Sequence, residues 1–184
     1  ANRLRPDYVG FVFAPSRRRV TPRQAAEIAA LLDPGIAVVG VFADAPEAEI
    51  LAALRECPLR IVQLHGRETP EFCGRMPVPV WKALRVCGPL SGEAFPDYPA
   101  EALVLDASRP GGGRTFPWEW TKGFTAGGLP IVLAGGLHGG NVTAAVARVH
   151  PFAVDVSSGV ETDGVKDPKK IRDFIMKARH ADER

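Results

Sequence analysis

The chain has 184 residues, 46% hydrophobic and 24% charged, an ordinary globular composition with enough apolar residues for one substantial core. A formal net charge of +2 is too small to argue for a nucleic-acid partner, and no run of about 18 apolar residues offers a membrane span. The N-terminal Ala1-Asn2-Arg3-Leu4-Arg5-Pro6-Asp7 has no apolar stretch behind its charges, so it does not read as a signal peptide. Cys57, Cys73 and Cys87 are odd in number and lack metal-type spacing; they read as free thiols of a reducing compartment, and a cytoplasmic location is expected. His65, His138, His150 and His180 are scattered, so no metal site is expected.

Short apolar runs follow one another along the chain at Tyr8–Phe13, Ile36–Phe42, Arg60–Leu64, Val78–Val86, Ala102–Leu105, Pro130–Ala134 and Ala153–Val156. Several are nearly continuous in Val, Ile, Leu, Ala and Phe rather than alternating, the pattern of strands buried on both faces of a parallel sheet. Helical periods lie between them. Ala25, Ile28, Ala29 and Leu32 share an i, i+3, i+4, i+7 spacing, as do Val142, Ala145, Val146 and Val149, and Ile171, Phe174, Ile175 and Ala178. Each set predicts one apolar stripe against a sheet. Thr21-Pro22, Thr69-Pro70 and Asp167-Pro168 each supply an N-cap oxygen followed by proline at the first helical position. Cys87–Pro99, rich in Gly and Pro, gives no clear helix and predicts an irregular crossover.

Strands alternating with crossovers call for α/β architecture, either an open doubly wound sheet or a closed barrel. A complete eight-fold barrel runs to roughly 250 residues. The count here suggests a single-domain TIM (β/α)8-type barrel with seven strands evident and its first β/α unit missing.

The last two runs carry the strongest chemical signal. Ala134-Gly135-Gly136-Leu137 leaves one strand for a helix, and about 20 residues later Val156-Ser157-Ser158-Gly159-Val160 leaves the next. Glycine lets backbone N–H groups approach a ligand, and N–H groups at a turn or helix start form a nest for an anion. Gly135, Gly136, Ser157, Ser158 and Gly159 are therefore the candidate phosphate ligands. Asp106 ends an apolar strand, where barrel enzymes keep catalytic groups, and a partly desolvated carboxyl there suits a general acid. Gly111–Gly113 after it predicts a mobile loop or one closely approaching a ligand. Of Arg17, Arg18 and Arg19, behind the first strand, one could hold a carboxylate in a bidentate pair. Val62-Gln63-Leu64-His65-Gly66 ends the third strand with an amide inside and an imidazole at the rim.

In order along nearly the whole chain, these segments resemble the phosphoribosylanthranilate isomerases of tryptophan biosynthesis. The match runs through Gly10-Phe11-Val12-Phe13 with Ser16 to Arg19, Val62-Gln63-Leu64-His65-Gly66, Trp81-Lys82-Ala83, Leu105-Asp106, and Phe116-Pro117-Trp118, where the family's Phe-Asp-Trp is altered at a local helix start. It continues through Leu133-Ala134-Gly135-Gly136, Asp155 to Glu161 and Gly164-Val165-Lys166-Asp167. The resemblance implies an eight-fold barrel and an Amadori rearrangement that needs no cofactor and no metal. The acid aligns with Asp106, the arginine that grips the anthranilate with Arg18, and Gln63 and His65 fall among the substrate contacts. The partner implied is a small phosphoribosyl substrate, with the chain a monomer or a homodimer. The family begins with a strand carrying Lys-Ile-Cys-Gly, whose Cys is the general base, and nothing before Asp7 matches it. Cys87-Gly88 looks locally similar but would fall on the acid's side of the substrate, so it is not read as the base. The alternatives are a phosphosugar-binding barrel fragment inactive without its first strand, and the related histidine-pathway isomerase, which performs the same rearrangement.

Overall fold

The computed structural model describes residues 1–90, 97–107 and 115–182. The Gly111–Gly113 run and the middle of the Cys87–Pro99 crossover lie outside them. Two compact units emerge: one takes residues 1–83 and 97–101, the other the described residues among 84–96 and 102–184. The architecture is the expected α/β, TIM-barrel type, with seven parallel strands in chain order.

In the first unit β1 (Tyr8–Val12), β2 (Ala37–Phe42), β3 (Ile61–Leu64) and the start of β4 (Val80–Val86) pair in parallel. They alternate with α1 (Pro22–Ala29), α2 (Glu47–Glu56) and the single turn α3 (Pro70–Cys73). The register aligns Val12, Val41, Gln63 and Trp81 on one face of the sheet. Phe11, Phe42, Val62, Leu64 and Val80 take the opposite face and pack on Ala25, Ala29, Ile50, Ala53, Cys57 and Cys73 of the helical layer. Both faces are thus occupied, which is why the strands read as continuous apolar runs. Phe13 and Phe42 stack with ring centroids 4.9 Å apart, and they leave no room at Gly40, where a Cβ would come 2.6 Å from Leu59 Cδ1.

The predicted caps form. Thr21 Oγ1 accepts from Gln24 N at 3.2 Å while Gln24 Oε1 accepts from Thr21 N at 2.9 Å, a complete capping box. Thr69 Oγ1 accepts from Phe72 N at 3.3 Å. The stripe on α1 needs one correction: Ile28 is 46% exposed, whereas Ala25 and Ala29 are buried. At about 100° per residue the two alanines lie close to the line of contact and Ile28 falls on its flank.

In the second unit β5 (Ala102–Ala107), β6 (Ile131–Leu133) and β7 (Ala153–Val154) pair in parallel, with Leu105 beside Leu133 and Leu133 beside Val154. Among the described residues the passage from β5 to β6 has only two 3-10 turns, Trp118–Thr121 and Ala126–Gly128, the first entered at Pro117. Helix α4 (Val142–Val149) buries Val142, Ala145 and Val146, and α5 (Pro168–Asp182) buries Phe174, as their periods predict. Asp167 Oδ1 accepts from Lys169 N at 2.8 Å and from Lys170 N at 3.3 Å, capping α5. The Thr162 hydroxyl and these N–H groups hold its carboxyl below the usual range. A two-residue hairpin, β8 (Glu161–Thr162) and β9 (Val165–Lys166), was not expected from the sequence. Its turn, Asp163-Gly164, has φ of 51° and 81°, the left-handed pair that a tight hairpin requires.

Truncation separates the core from the flank. Phe42→Ala removes a fully buried stacked ring and should cost about 3–5 kcal/mol in urea unfolding. Ile28→Ala, in the same periodic scheme, should cost less than about 1 kcal/mol, and a larger loss would place Ile28 in the core.

Candidate active site

The loops that follow the strands at their carboxyl ends carry the candidate residues, and each unit fixes its share by close contact. In the second unit Asp106 is the penultimate residue of β5, with 8% of its surface exposed. Its Oδ1 accepts from Ala107 N at 2.7 Å, which sets the carboxyl's rotamer against the strand end. The β6 loop then presses on it. A Cβ on Gly135 would stand 2.5 Å from Ala107 N and 2.6 Å from Asp106 Oδ1, and Gly135 and Gly136 have φ of 81° and 66°. Only glycine meets both demands at Gly135: no side chain toward the carboxyl, and a left-handed backbone.

The loops after β6 and β7 also meet. A Cβ on Gly159 would overlap the Leu137 carbonyl oxygen and approach His138 Cβ to 2.9 Å. Asn141 braces the first of these loops, its Oδ1 accepting from His138 N at 2.8 Å and its Nδ2 donating to Gly136 O at 3.1 Å. Lys166, on the hairpin, braces the second by donating to Ser157 O at 2.8 Å. Ser157 is exposed, and Gly135, Gly136, Ser158 and Gly159 are half-buried, so this loop pair is open to solvent. Asp106, Gly135, Gly136, Ser157, Ser158 and Gly159 are therefore gathered on the end of β5 and the adjoining loops after β6 and β7 of one unit. Lys166 and Asn141 lie within the family match but were not read as site residues, because their roles arise only when the loops fold back.

In the first unit Gln63 is 4% exposed on the helix-free face, and its Nε2 lies 3.2 Å from Nδ1 of half-buried His65. The structure brings this pair together. The arginine run divides: Arg19 runs beside Val12 and reaches Glu49 on α2 at 3.5 Å, while Arg18 stays half-buried in the loop with its N–H on Ser16 Oγ at 3.1 Å. A cavity of about 420 Å³ opens on the helical side, lined by Phe13, Arg19, Thr21, Gln24, Phe42 and Glu49 among others. Thr21 and Gln24 already bond each other there and Arg19 pairs with Glu49, and neither Gln63 nor His65 lines it.

Beneath Gln63 and His65 lies a polar cluster that the sequence reading missed. Lys82 of β4 is 2% exposed on the helix-facing side, and its Nζ donates to Leu64 O (3.1 Å), Gly66 O (2.9 Å), Ala83 O (3.1 Å) and Glu68 Oε2 (3.0 Å). Glu68, 7% exposed, also accepts from Asp44 N at 2.9 Å and from Gly66 N at 2.9 Å. A lysine inside the apolar run Val78–Val86 was the available signal.

The cysteines are free thiols, Cys57 and Cys73 buried and Cys87 exposed just beyond β4. Burial pushes the Cys57 and Cys73 thiols up, away from the thiolate that a base requires. Among the described residues no helix is long and apolar enough to cross a membrane.

Residues 2–177 match the family described as N-(5'phosphoribosyl)anthranilate (PRA) isomerase. An N-(5'-phosphoribosyl)anthranilate isomerase of Acetivibrio thermocellus is 43% identical over 195 residues, a span of 98% of this chain and 89% of that protein. The crystal structure of phosphoribosyl anthranilate isomerase from Thermus thermophilus aligns with a TM-score of 0.88 at 42% identity, covering 97% of this chain and 90% of that one. A phosphoribosyl anthranilate isomerase crystallised with reduced 1-(o-carboxyphenylamino)-1-deoxyribulose 5-phosphate aligns at 0.81 and 33% identity, with the same coverage. With the family matched over nearly its whole length and its relatives well above 30% identity, this chain belongs to the PRA isomerase family.

Proposed function

We propose that the chain catalyses the Amadori rearrangement of N-(5'-phosphoribosyl)anthranilate to 1-(2-carboxyphenylamino)-1-deoxyribulose 5-phosphate, the isomerase step in tryptophan biosynthesis. The observation that carries this reading is the contact of Gly135 with the Asp106 carboxyl, on a loop that itself touches Gly159. A phosphate grip and a carboxyl acid are thereby built from one set of packed loops.

In this reading the ribose phosphate rests on Gly135 and Gly136 after β6 and on Ser157, Ser158 and Gly159 after β7. Backbone N–H groups and the serine hydroxyls are its donors. Asp106 in its protonated form gives a proton to the ribose ring oxygen. The ring C–O bond breaks as the nitrogen lone pair moves in to form a Schiff base. Loss of the proton on the sugar's second carbon then gives an enolamine, which relaxes to the ketone. Arg18 takes the anthranilate carboxylate, a planar anion suited to a guanidinium, and Gln63 and His65 supply further substrate contacts. The family's base for the carbon proton is the Cys of a Lys-Ile-Cys-Gly strand, and that tetrapeptide does not occur in this sequence. Cys57 and Cys73, buried in the helical layer, are not substitutes for it. The described residues thus supply the binding groups and the acid.

Asp106→Asn keeps an Oδ1 to accept from Ala107 N but removes the transferable proton. In the intact protein it should lower kcat/KM by about 10²–10⁴-fold. Calorimetric affinity for the reduced product analogue should stay within about threefold, and undiminished turnover would move the acid elsewhere. Gly159→Ala drives a Cβ into backbone at Leu137, so the two phosphate loops must part. The expected result is a KM at least about tenfold higher with a smaller change in kcat, and an unchanged KM would take the phosphate away from these loops.

A further inference from the structure

We propose that the buried Lys82–Glu68 pair is a positioning device: it fixes the loop after β3 so that Gln63 and His65 are held ready for substrate. The inference rests on the isomerase reading for what those two residues touch. Its geometry stands on the first unit alone.

Lys82 occupies a layer otherwise filled by Phe42, Leu64, Val80 and Cys73. A buried ion pair is a poor source of stability, since losing water offsets its attraction and apolar replacement of both partners is often neutral or better. What the pair supplies is direction. The last β3–β4 register pair is Leu64 beside Lys82, so the Gly66 carbonyl lies beyond the sheet ladder. Lys82 Nζ reaches that carbonyl at 2.9 Å and the Leu64 carbonyl at 3.1 Å, on either side of His65.

Glu68 closes the circuit. One carboxylate takes the ammonium, the Gly66 N–H and the Asp44 N–H, and Asp44 Oδ1 accepts in turn from Arg67 N at 2.6 Å. A Cβ on Gly66 would overlap Asp44 Oδ1, so the chain passes here with no freedom to shift. His65 N donates to Phe42 O at 2.7 Å within the same knot. The backbone from Leu64 to Arg67 is thus held at each residue, and the Gln63–His65 contact at 3.2 Å is made on top of it. Four acceptors for three ammonium protons leave no donor for a ligand, which makes Lys82 a positioning residue and not a catalytic one.

The test compares Lys82→Met, Glu68→Gln and the double variant Lys82→Met/Glu68→Leu. The readouts are Tm, hydrogen exchange at the Gly66 and Arg67 amides, KM, kcat and calorimetric Kd for the reduced product analogue. Lys82→Met alone strands a buried carboxylate and should lower Tm. The double variant should recover part of the lost Tm, since no buried charge is stranded, while exchange at Gly66 and Arg67 stays fast, and KM and Kd should rise about tenfold with kcat changed less than about threefold. A double variant that regains amide protection and wild-type KM together makes the pair merely structural and overturns the proposal. Should the double variant not fold, Glu68→Gln answers the same question, because its one amide oxygen can still accept from Asp44 N and Gly66 N while its NH2 replaces the oxygen that takes the ammonium; normal protection and KM there also overturn it. If the wild-type protein neither binds the analogue nor turns over substrate, the isomerase reading fails, and the exchange data still decide the clamp.

Discussion

Three of the loops that carry candidate residues are held by close approach of a glycine to its neighbour, with no room for a single added carbon. Gly66 lies on Asp44, Gly135 on the Asp106 carboxyl and Gly159 on the Leu137 carbonyl. Parallel strands end with their carbonyls pointing into loops that the sheet ladder no longer serves, and those loops need another source of order. Close approach at glycine provides it, because the missing Cβ lets the next loop's dipoles come within hydrogen-bonding range. The candidate phosphate grip and the candidate acid share this device, and moving either loop moves both.

The two units stiffen their loops by different chemistry. The second relies on local polar braces that remain in contact with water: Asn141 across the β6 loop and Lys166 on the Ser157 carbonyl. An anion can still reach the N–H groups there. The first places a lysine and a glutamate under the β3 loop, shut off from solvent and committed to backbone partners and to each other. The difference fits the roles proposed for the loops. A phosphate site has to keep donors exposed, whereas an amide and an imidazole need only be aimed.

Much of this was open to inspection in one dimension. Continuous apolar runs at Ala37–Phe42 and Ala102–Leu105 marked doubly buried strands, and Thr-Pro and Asp-Pro pairs marked helix starts to the residue, since both signals depend on local sterics and local hydrogen bonds. Ordered motifs gave the family and the candidate residues. The register that sets Gln63 beside Trp81, the left-handed turn at Asp163-Gly164 and the exposure of Ile28 were not legible, because each depends on where a second segment lies.

Lys82 shows where the boundary falls. In the sequence it is a charge interrupting an apolar run, and nothing nearby explains it. Its partners, Leu64, Gly66 and Glu68, are 14 to 18 residues away on another strand and its loop. The sequence on its own settled the seven strand runs, three helix starts, the family and the list of candidate residues, since these follow from local pattern and ordered motif. The tertiary structure alone decided which polar groups are spent on one another and which stay available, as at Arg19 against Glu49 and Lys82 against Glu68. A hydrogen bond forms or fails on a few tenths of an ångström between distant segments, and only the folded chain sets that distance.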